Sequence, residues 1–380
     1  MAQQHKLKFL VPALGLMMTA CGGSDNKISE QADDGGASDN DYSQLVIDAR
    51  TQTQYLNLAT GEVVSSDGDW DLAFNRTSVL LNSGASGNGN VAGAMGDEQA
   101  EFYDADGNPD LNKFVGATAD GELDHLKDSF PAPESWISDD VVYAFGDGWS
   151  VYGDGGVISE VPDIGYLVRS AEGDSYARMR IVDFNFPTRS GNGIESFNLE
   201  FEVQSAGTTQ LSGTTINFTE PLEYDGGDAC FDFDTNAVVD CSSSDTWDVL
   251  IGFSGREWYL KTNSGPSGAG QGGALGPIDW SELSAYTSAT IDSATGESLT
   301  QAYASDSTGG LFTDNSWYAY NLQGAHKLWP NFRVYLIDSD SEDASAPVYA
   351  MQIINYYGAD GNSGQPEIRW KEISLTTGEN

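Results

Sequence analysis

Histidine is scarce in this chain, with three in 380 residues, and one of them stands where chemistry is possible. His326 lies between two aromatic, β-prone runs in Trp317-Tyr-Ala-Tyr-Asn-Leu-Gln-Gly-Ala-His326-Lys-Leu-Trp-Pro330-Asn-Phe-Arg-Val-Tyr-Leu-Ile337. A neutral imidazole in a turn beside a dense aromatic cluster can serve as an iron ligand, against the reading that it merely packs. Methionine sulfur is a second soft donor type, and Met351 follows in an alternating strand-like run. His125 lies in a short apolar-periodic stretch, off its apolar stripe. Asp104-Ala-Asp106-Gly-Asn108-Pro-Asp110 places oxygen donors at alternate positions, as calcium loops do, but no glutamate closes it as in an EF-hand.

Other chemistry is poorly supported. Gly268-Ala-Gly270-Gln-Gly-Gly273 spells a formal dinucleotide motif, but Pro277 comes where a helix should continue. Neither Gly-rich loop is followed by a phosphate-binding lysine. Gly173-Asp-Ser-Tyr is a weak esterase echo that lacks a later Asp-x-x-His. Acids are abundant, but nothing singles out a glycosidase pair. With 17 Lys and Arg against 58 Asp and Glu, the formal charge is −41. That field repels nucleic acid and anionic lipid headgroups.

The chain opens on an address. Lys6 and Lys8 precede an apolar run, Phe9 to Met18, too short to span a bilayer. Met18-Thr-Ala-Cys21 then resembles the lipobox of bacterial lipoproteins, which implies a signal peptide over 1–20, cleavage, and diglyceride and palmitate on Cys21. Gly22 after that cysteine implies the outer membrane. Removing 1–20 takes His5 away and leaves His125 and His326. Residues 21–44 are Gly, Ser, Asp and Asn with almost no large apolar side chain, which predicts a flexible acidic tether. Cys230 and Cys241 are then the remaining thiols, and an exported chain is expected to oxidise such a pair.

The elements that must carry these residues occur twice. Tyr55-Leu-Asn-Leu-Ala-Thr-Gly61 and Cys230-Phe-Asp-Phe-Asp-Thr-Asn236 both read as hairpins. Trp70-Asp-Leu-Ala-Phe74 matches Trp247-Asp-Val-Leu-Ile251, and Asn82-Ser-Gly-Ala-Ser-Gly87 matches Asn263-Ser-Gly-Pro-Ser-Gly268. Trp149 to Pro162 matches Trp317 to Pro330, and Tyr176-Ala-Arg-Met179 matches Val348-Tyr-Ala-Met351. Five landmarks in one order indicate a tandem duplication. The expected fold is mainly β, a β-rich α+β class with two antiparallel repeats, 45–206 and 207–380. Each repeat is expected to carry a short helical insertion. Leu123, Leu126 and Phe130 make a helical stripe around 121–129, and Asp279-Trp-Ser-Glu reads as a helix start. Counting back from Pro162 and Pro330 sets Ile158 against His326.

These landmarks resemble the HmuY family of haem-binding lipoproteins, through Trp70-Asp-Leu-Ala-Phe-Asn-Arg-Thr77, Trp317 to Ile337 and Tyr349 to Tyr357. The resemblance implies a non-enzymatic, outer-membrane-anchored protein of haem and iron acquisition that passes haem to a TonB-dependent receptor. It makes His326, Met351 and His125 the axial-ligand candidates. Trp317, Tyr318, Tyr320, Trp329 and Tyr335 become the candidate walls of a haem slot. No single repeat supplies two histidines, so a His/His pair requires the two repeats to clasp the ligand. The alternative expectation is a surface β module of the same descent that has lost haem and binds a protein, a glycan or calcium.

Overall fold

The structure, a computed structural model, describes residues 41–189, 193–222, 227–242 and 245–376. The signal peptide, Cys21 and most of the tether lie outside the described residues.

Each repeat begins with two hairpins in one four-stranded antiparallel sheet. In the first repeat, Gln54–Asn57 pairs with Glu62–Val64 on one side and Leu72–Asn75 on the other, and Leu72–Asn75 pairs with Ser78–Leu81. In the second, Gly227–Asp232 lies between Ala237–Val239 and Val249–Ser254, and Glu257–Thr262 completes the sheet. The first turns use residues tolerant of positive φ, Gly61 at +70° and Asn236 at +53°. The Asn/Gly-rich loops after these sheets are wound onto one asparagine each. Asn82 Oδ1 accepts from Gly89 N at 3.0 Å, and Asn263 Oδ1 accepts from Gly270 N at 2.9 Å. A Cβ on Gly87 or Gly268 would stand 2.1 Å from that same oxygen, so both positions require glycine. These loops are structural turns rather than phosphate cradles.

The next strand in each repeat crosses to the other repeat. Ala92–Asp97 pairs with Val334–Asp338, placing Ala94 opposite Leu336. Gly273–Asp279 pairs with Ile164–Arg169, placing Ala274 opposite Val168. Ser43–Val46 lies on Ser363–Thr376, and its counterpart Thr215–Phe218 lies on Ser196–Gln204. The long strands Val348–Tyr357 and Tyr176–Pro187 occupy matching places in the two larger sheets.

The cores reflect this exchange and cross the 206/207 division. One combines Leu56, Leu72, Phe74 and Leu81 with Trp317, Tyr335, Met351 and Trp370. The other combines Trp149, Tyr166, Met179 and Phe201 with Phe231, Val249, Ile251 and Leu260. Each buried large apolar side chain contributes about 1.5–3 kcal/mol, so both cores hold the two repeats together. The chain passes between lobes at Asp140–Val142 and Ser307–Gly309, and these two segments pair antiparallel with Val141 opposite Thr308. Just before them, Asp139 accepts from Leu81 N at 2.8 Å, and Asp306 accepts from Thr262 N at 3.3 Å. The two halves thus exchange matching strands, and the described residues from Asp41 onward belong to one compact unit.

The chain is mainly β, as the alternation of its landmarks implies. Among the described strands one pair is parallel, Ser129–Pro131 on the end of Ser363–Thr376. That pair replaces the expected helix over 121–129. Only Leu123–His125 is helical there, as one 3-10 turn, because so short a segment cannot sustain a helix and the open sheet edge captures the residues after it. Leu123, Leu126 and Phe130 still pack together, through turn and strand instead of a helical stripe. The α-helix of this insertion is Leu111–Gly116, capped by Asp110. Asp279 caps Trp280–Leu283 as expected, accepting from Ser281 N at 2.8 Å. Cys230 and Cys241 form a disulfide. No helix among the described residues is long and apolar enough to cross a membrane.

Candidate functional site

His326 sits in the turn of a two-stranded hairpin, Tyr318–Tyr320 with Leu328–Pro330. Three non-glycine residues of that turn, Asn321, Ala325 and His326, have φ of +61°, +58° and +54°. Such a conformation is sterically costly and persists because local bonds enforce it. Asn321 Oδ1 accepts from His326 N at 3.0 Å, and the Tyr320 hydroxyl lies 2.6 Å from His326 Nδ1. Leu328 N donates to the Tyr357 hydroxyl at 2.9 Å, tying the turn to the sheet. Nε2 has no partner among the described residues, and it carries the lone pair in the tautomer whose Nδ1–H donates to Tyr320. The imidazole is exposed.

The first repeat's hairpin differs in an informative way. There Ile158 pairs opposite Tyr152, whereas in the second repeat Leu328 pairs opposite Tyr320. Ile158 and Leu328 are therefore the equivalent residues, and both are buried. The turn spans 153–157 in one copy and 321–327 in the other, so His326 has no counterpart. Setting Ile158 against His326 by counting back from the prolines is corrected by this longer turn.

The expected slot walls separate into core and surface. Trp317 is buried, and its Nε1 donates to Thr77 O at 2.9 Å. Tyr335 is fully buried and donates to Asn315 O at 2.6 Å, while burial pushes its hydroxyl pKa up. Met351 is fully buried, opposite Tyr335 on the neighbouring strand. Close packing leaves these three no face open to a ligand. Tyr318 is half-buried against Trp317. Tyr320 is 48% exposed, and Trp329 is half-buried beneath the Lys327 ammonium at 4.1 Å.

The insertion of the first repeat meets this hairpin. Phe102 and Phe114 share one cluster with Ala319, Phe332 and Ile354, with Leu322 and Trp329 packed against it. The segments bearing His125 and His326 thus belong to the same lobe. His125 itself is held by acids: Nδ1 lies 2.9 Å from Asp97 Oδ2, and Nε2 lies 3.6 Å from Glu122 Oε2 and 3.9 Å from Glu101 Oε1. Burial raises the Asp97 pKa, but the bonds from His125 and from Gln99 N outweigh it, and the carboxyl ends below its usual value. The Glu122-Leu-Asp-His125 spacing is the local sequence signal for this group.

The acidic loop spends its carboxylates on itself. Asp104 Oδ1 accepts from Asp106 N and Asn108 N, Asn108 Nδ2 donates to Asp104 Oδ2, and Asp110 caps the helix after it. Calcium finds no support in this arrangement. Sequence patterning also misses the buried acids at the Trp-Asp landmarks. Asp71 accepts from Leu58 N and is pushed up by burial to about 6. Asp248 accepts from Ala171 N and Phe233 N and is pushed up by burial to about 8.

Comparison with known proteins agrees with the landmarks that lie within residues 49–201. The family model of the HmuY protein matches residues 49–201. The HmuY resemblance is thereby shown for that segment, which lies within the first repeat and runs through both lobes. No curated protein matches. Among solved structures, an HmuY-like haem-binding protein named from Bacteroides vulgatus is 10% identical, covering 87% of this chain and 91% of that chain at a TM-score of 0.28. The apo HmuY analogue of Tannerella forsythia is 8% identical, covering 88% and 96% at 0.27. A structure named as a lipoprotein of Bacteroides fragilis is 12% identical, covering 87% and 91% at 0.29. Superposition this loose carries no argument about the site.

Proposed function

We propose that the protein is a haem-binding lipoprotein of the outer membrane that serves haem and iron acquisition without catalysing a reaction. The observation that carries this reading is the exposed His326 imidazole, oriented by Tyr320 and left with Nε2 unpartnered, in a chain whose residues 49–201 match the HmuY protein. The residues fit haem at one axial position. His326 would ligate the iron, Tyr320 and Trp329 would offer aromatic surface, and Lys327 would face a propionate. Bound iron would supply the coordination bond, while the chain holds the porphyrin without closing over it. Met351 does not fit the second axial position, because it is sealed in the core. An open site of this kind suits a carrier that passes haem on, with a TonB-dependent receptor as the proposed partner and the lipid on Cys21 as the anchor.

Haemin titration of the lipid-free mature protein tests the reading. A shifted, saturating Soret band is expected, and His326→Ala should abolish it while leaving the far-UV dichroism unchanged. Identical weak spectra from wild type and variant would favour a module without haem.

A further inference from the structure

A second group of donors lies apart from His326 and has no part in the proposed haem site. Glu122 and His125 flank one 3-10 turn, Leu123–His125. With three residues per turn, positions i and i+3 eclipse, so the carboxylate and the imidazole stand on one side. Glu101 comes from a separate 3-10 turn, Ala100–Phe102. One ligand atom from each of Glu101, Glu122 and His125 lies within 4.8 Å of the others. Asp97 Oδ2 lies 2.9 Å from Nδ1 and orients the ring so that Nε2 faces the two glutamates.

Such an arrangement is electrostatically unfinished. Three carboxylates converge on one imidazole, Asp97 at Nδ1 and Glu101 and Glu122 at Nε2. Lys113 supplies one positive charge, with Nζ at 3.6 Å from Glu101 and 3.4 Å from Glu122. Against Asp97, Glu101 and Glu122, that leaves the group short of positive charge. An independent feature points the same way. Gln99, which is 0% exposed, extends its amide into the group, with Nε2 at 3.5 Å from Glu122 Oε2 and 3.1 Å from Phe332 O. Its Oε1 is buried without a hydrogen-bond partner. A buried orphan acceptor costs about 1–3 kcal/mol and calls for a ligand to satisfy it.

We infer that Glu101, Glu122 and His125, oriented by Asp97, form a binding site for a divalent transition metal. One imidazole nitrogen with carboxylate oxygens selects zinc, manganese or iron(II) over calcium or magnesium, which prefer oxygen alone. Lys113 is the gate: its ammonium occupies the carboxylates when the metal is away and yields them when it binds. The site is half-exposed at His125 and Glu101, which leaves an entry path.

Calorimetric titration of the chelator-treated mature protein with Zn2+ tests this, with Ca2+ run in parallel. One zinc per chain is expected, with affinity at least about tenfold weaker in His125→Ala and in Glu122→Gln. Glu101→Gln, at an exposed position, provides a variant with no folding burden and should also weaken binding. Lys113→Ala should tighten it, a result that a purely structural role for these residues would not give. Haem binding should be unchanged in all four variants, and zinc binding unchanged in His326→Ala, so failure here is distinguishable from failure of the haem reading. Zinc affinity indifferent to His125 and Glu101, or calcium bound as tightly as zinc, would overturn the assignment.

Discussion

The hairpins 150–160 and 318–330 share one pattern and do different work. In the first, the short turn lets Ile158 enter the core at 0% exposure, and no imidazole stands at the tip. In the second, Leu328 takes that core place, and the longer turn lifts His326 into solvent on a strained backbone. A repeated pattern thus frees one copy to keep the packing while the other spends conformational energy on a side chain. The same contrast recurs elsewhere. The second repeat has a disulfide at its opening hairpin where the first has Tyr55, and its landmark acid Asp248 is pushed further up than Asp71.

Truncation at the packed positions should have the largest effect. Ile158→Ala and Leu328→Ala are each expected to cost about 2–5 kcal/mol in urea unfolding, as equivalent core residues should. A near-neutral Leu328→Ala would break the equivalence. Next in size, replacing Cys230 and Cys241 by serine should cost about 2–3 kcal/mol, since the bridge closes a loop with a separation of 11 residues. Comparing unfolding midpoints with and without reductant checks this.

The buried acids give a pH dependence that separates the repeats. An aspartate whose folded pKa is raised keeps a proton that the unfolded chain has released. Its contribution is therefore full below the unfolded value of 3.8 and is lost as pH rises to the folded value, about 6 for Asp71 and about 8 for Asp248. Each carboxyl contributes a slope of up to about 1.4 kcal/mol per pH unit inside its window. Between pH 6 and 8, the loss from this pair should come from Asp248 alone. Asp248→Asn should flatten that slope in a series of urea melts, and Asp71→Asn should leave it in place. The smallest effect is expected for His326→Ala, within about 0.5 kcal/mol, because the side chain is exposed.

Much of this architecture is legible in the residues. Alternating landmarks such as Tyr55-Leu-Asn-Leu and Cys230-Phe-Asp-Phe announce hairpins, and their repetition raises the expectation of two copies. What repetition cannot show is which copy each strand pairs with. The pattern of Ala92–Asp97 suits Ile164–Arg169 as well as Val334–Asp338, and the choice rests on the crossing at Asp140–Val142. The aromatic run 317–337 is dense because most of it is core, which composition alone cannot separate from a ligand slot. His326 stands out in the sequence by rarity, but its isolation from Ile158 depends on strand register. Helical periodicity turns His125 towards solvent, whereas the structure surrounds it with acids. Two of those partners, Asp97 and Glu101, lie beyond the reach of any helical repeat.

The most direct test of this contrast is the stoichiometry of haemin bound by the mature, lipid-free chain. Only one of the two hairpins presents an imidazole, so titration monitored at the Soret band should saturate at one haemin per chain and fail in His326→Ala. Two haemins per chain, or one that survives the substitution, would contradict the account.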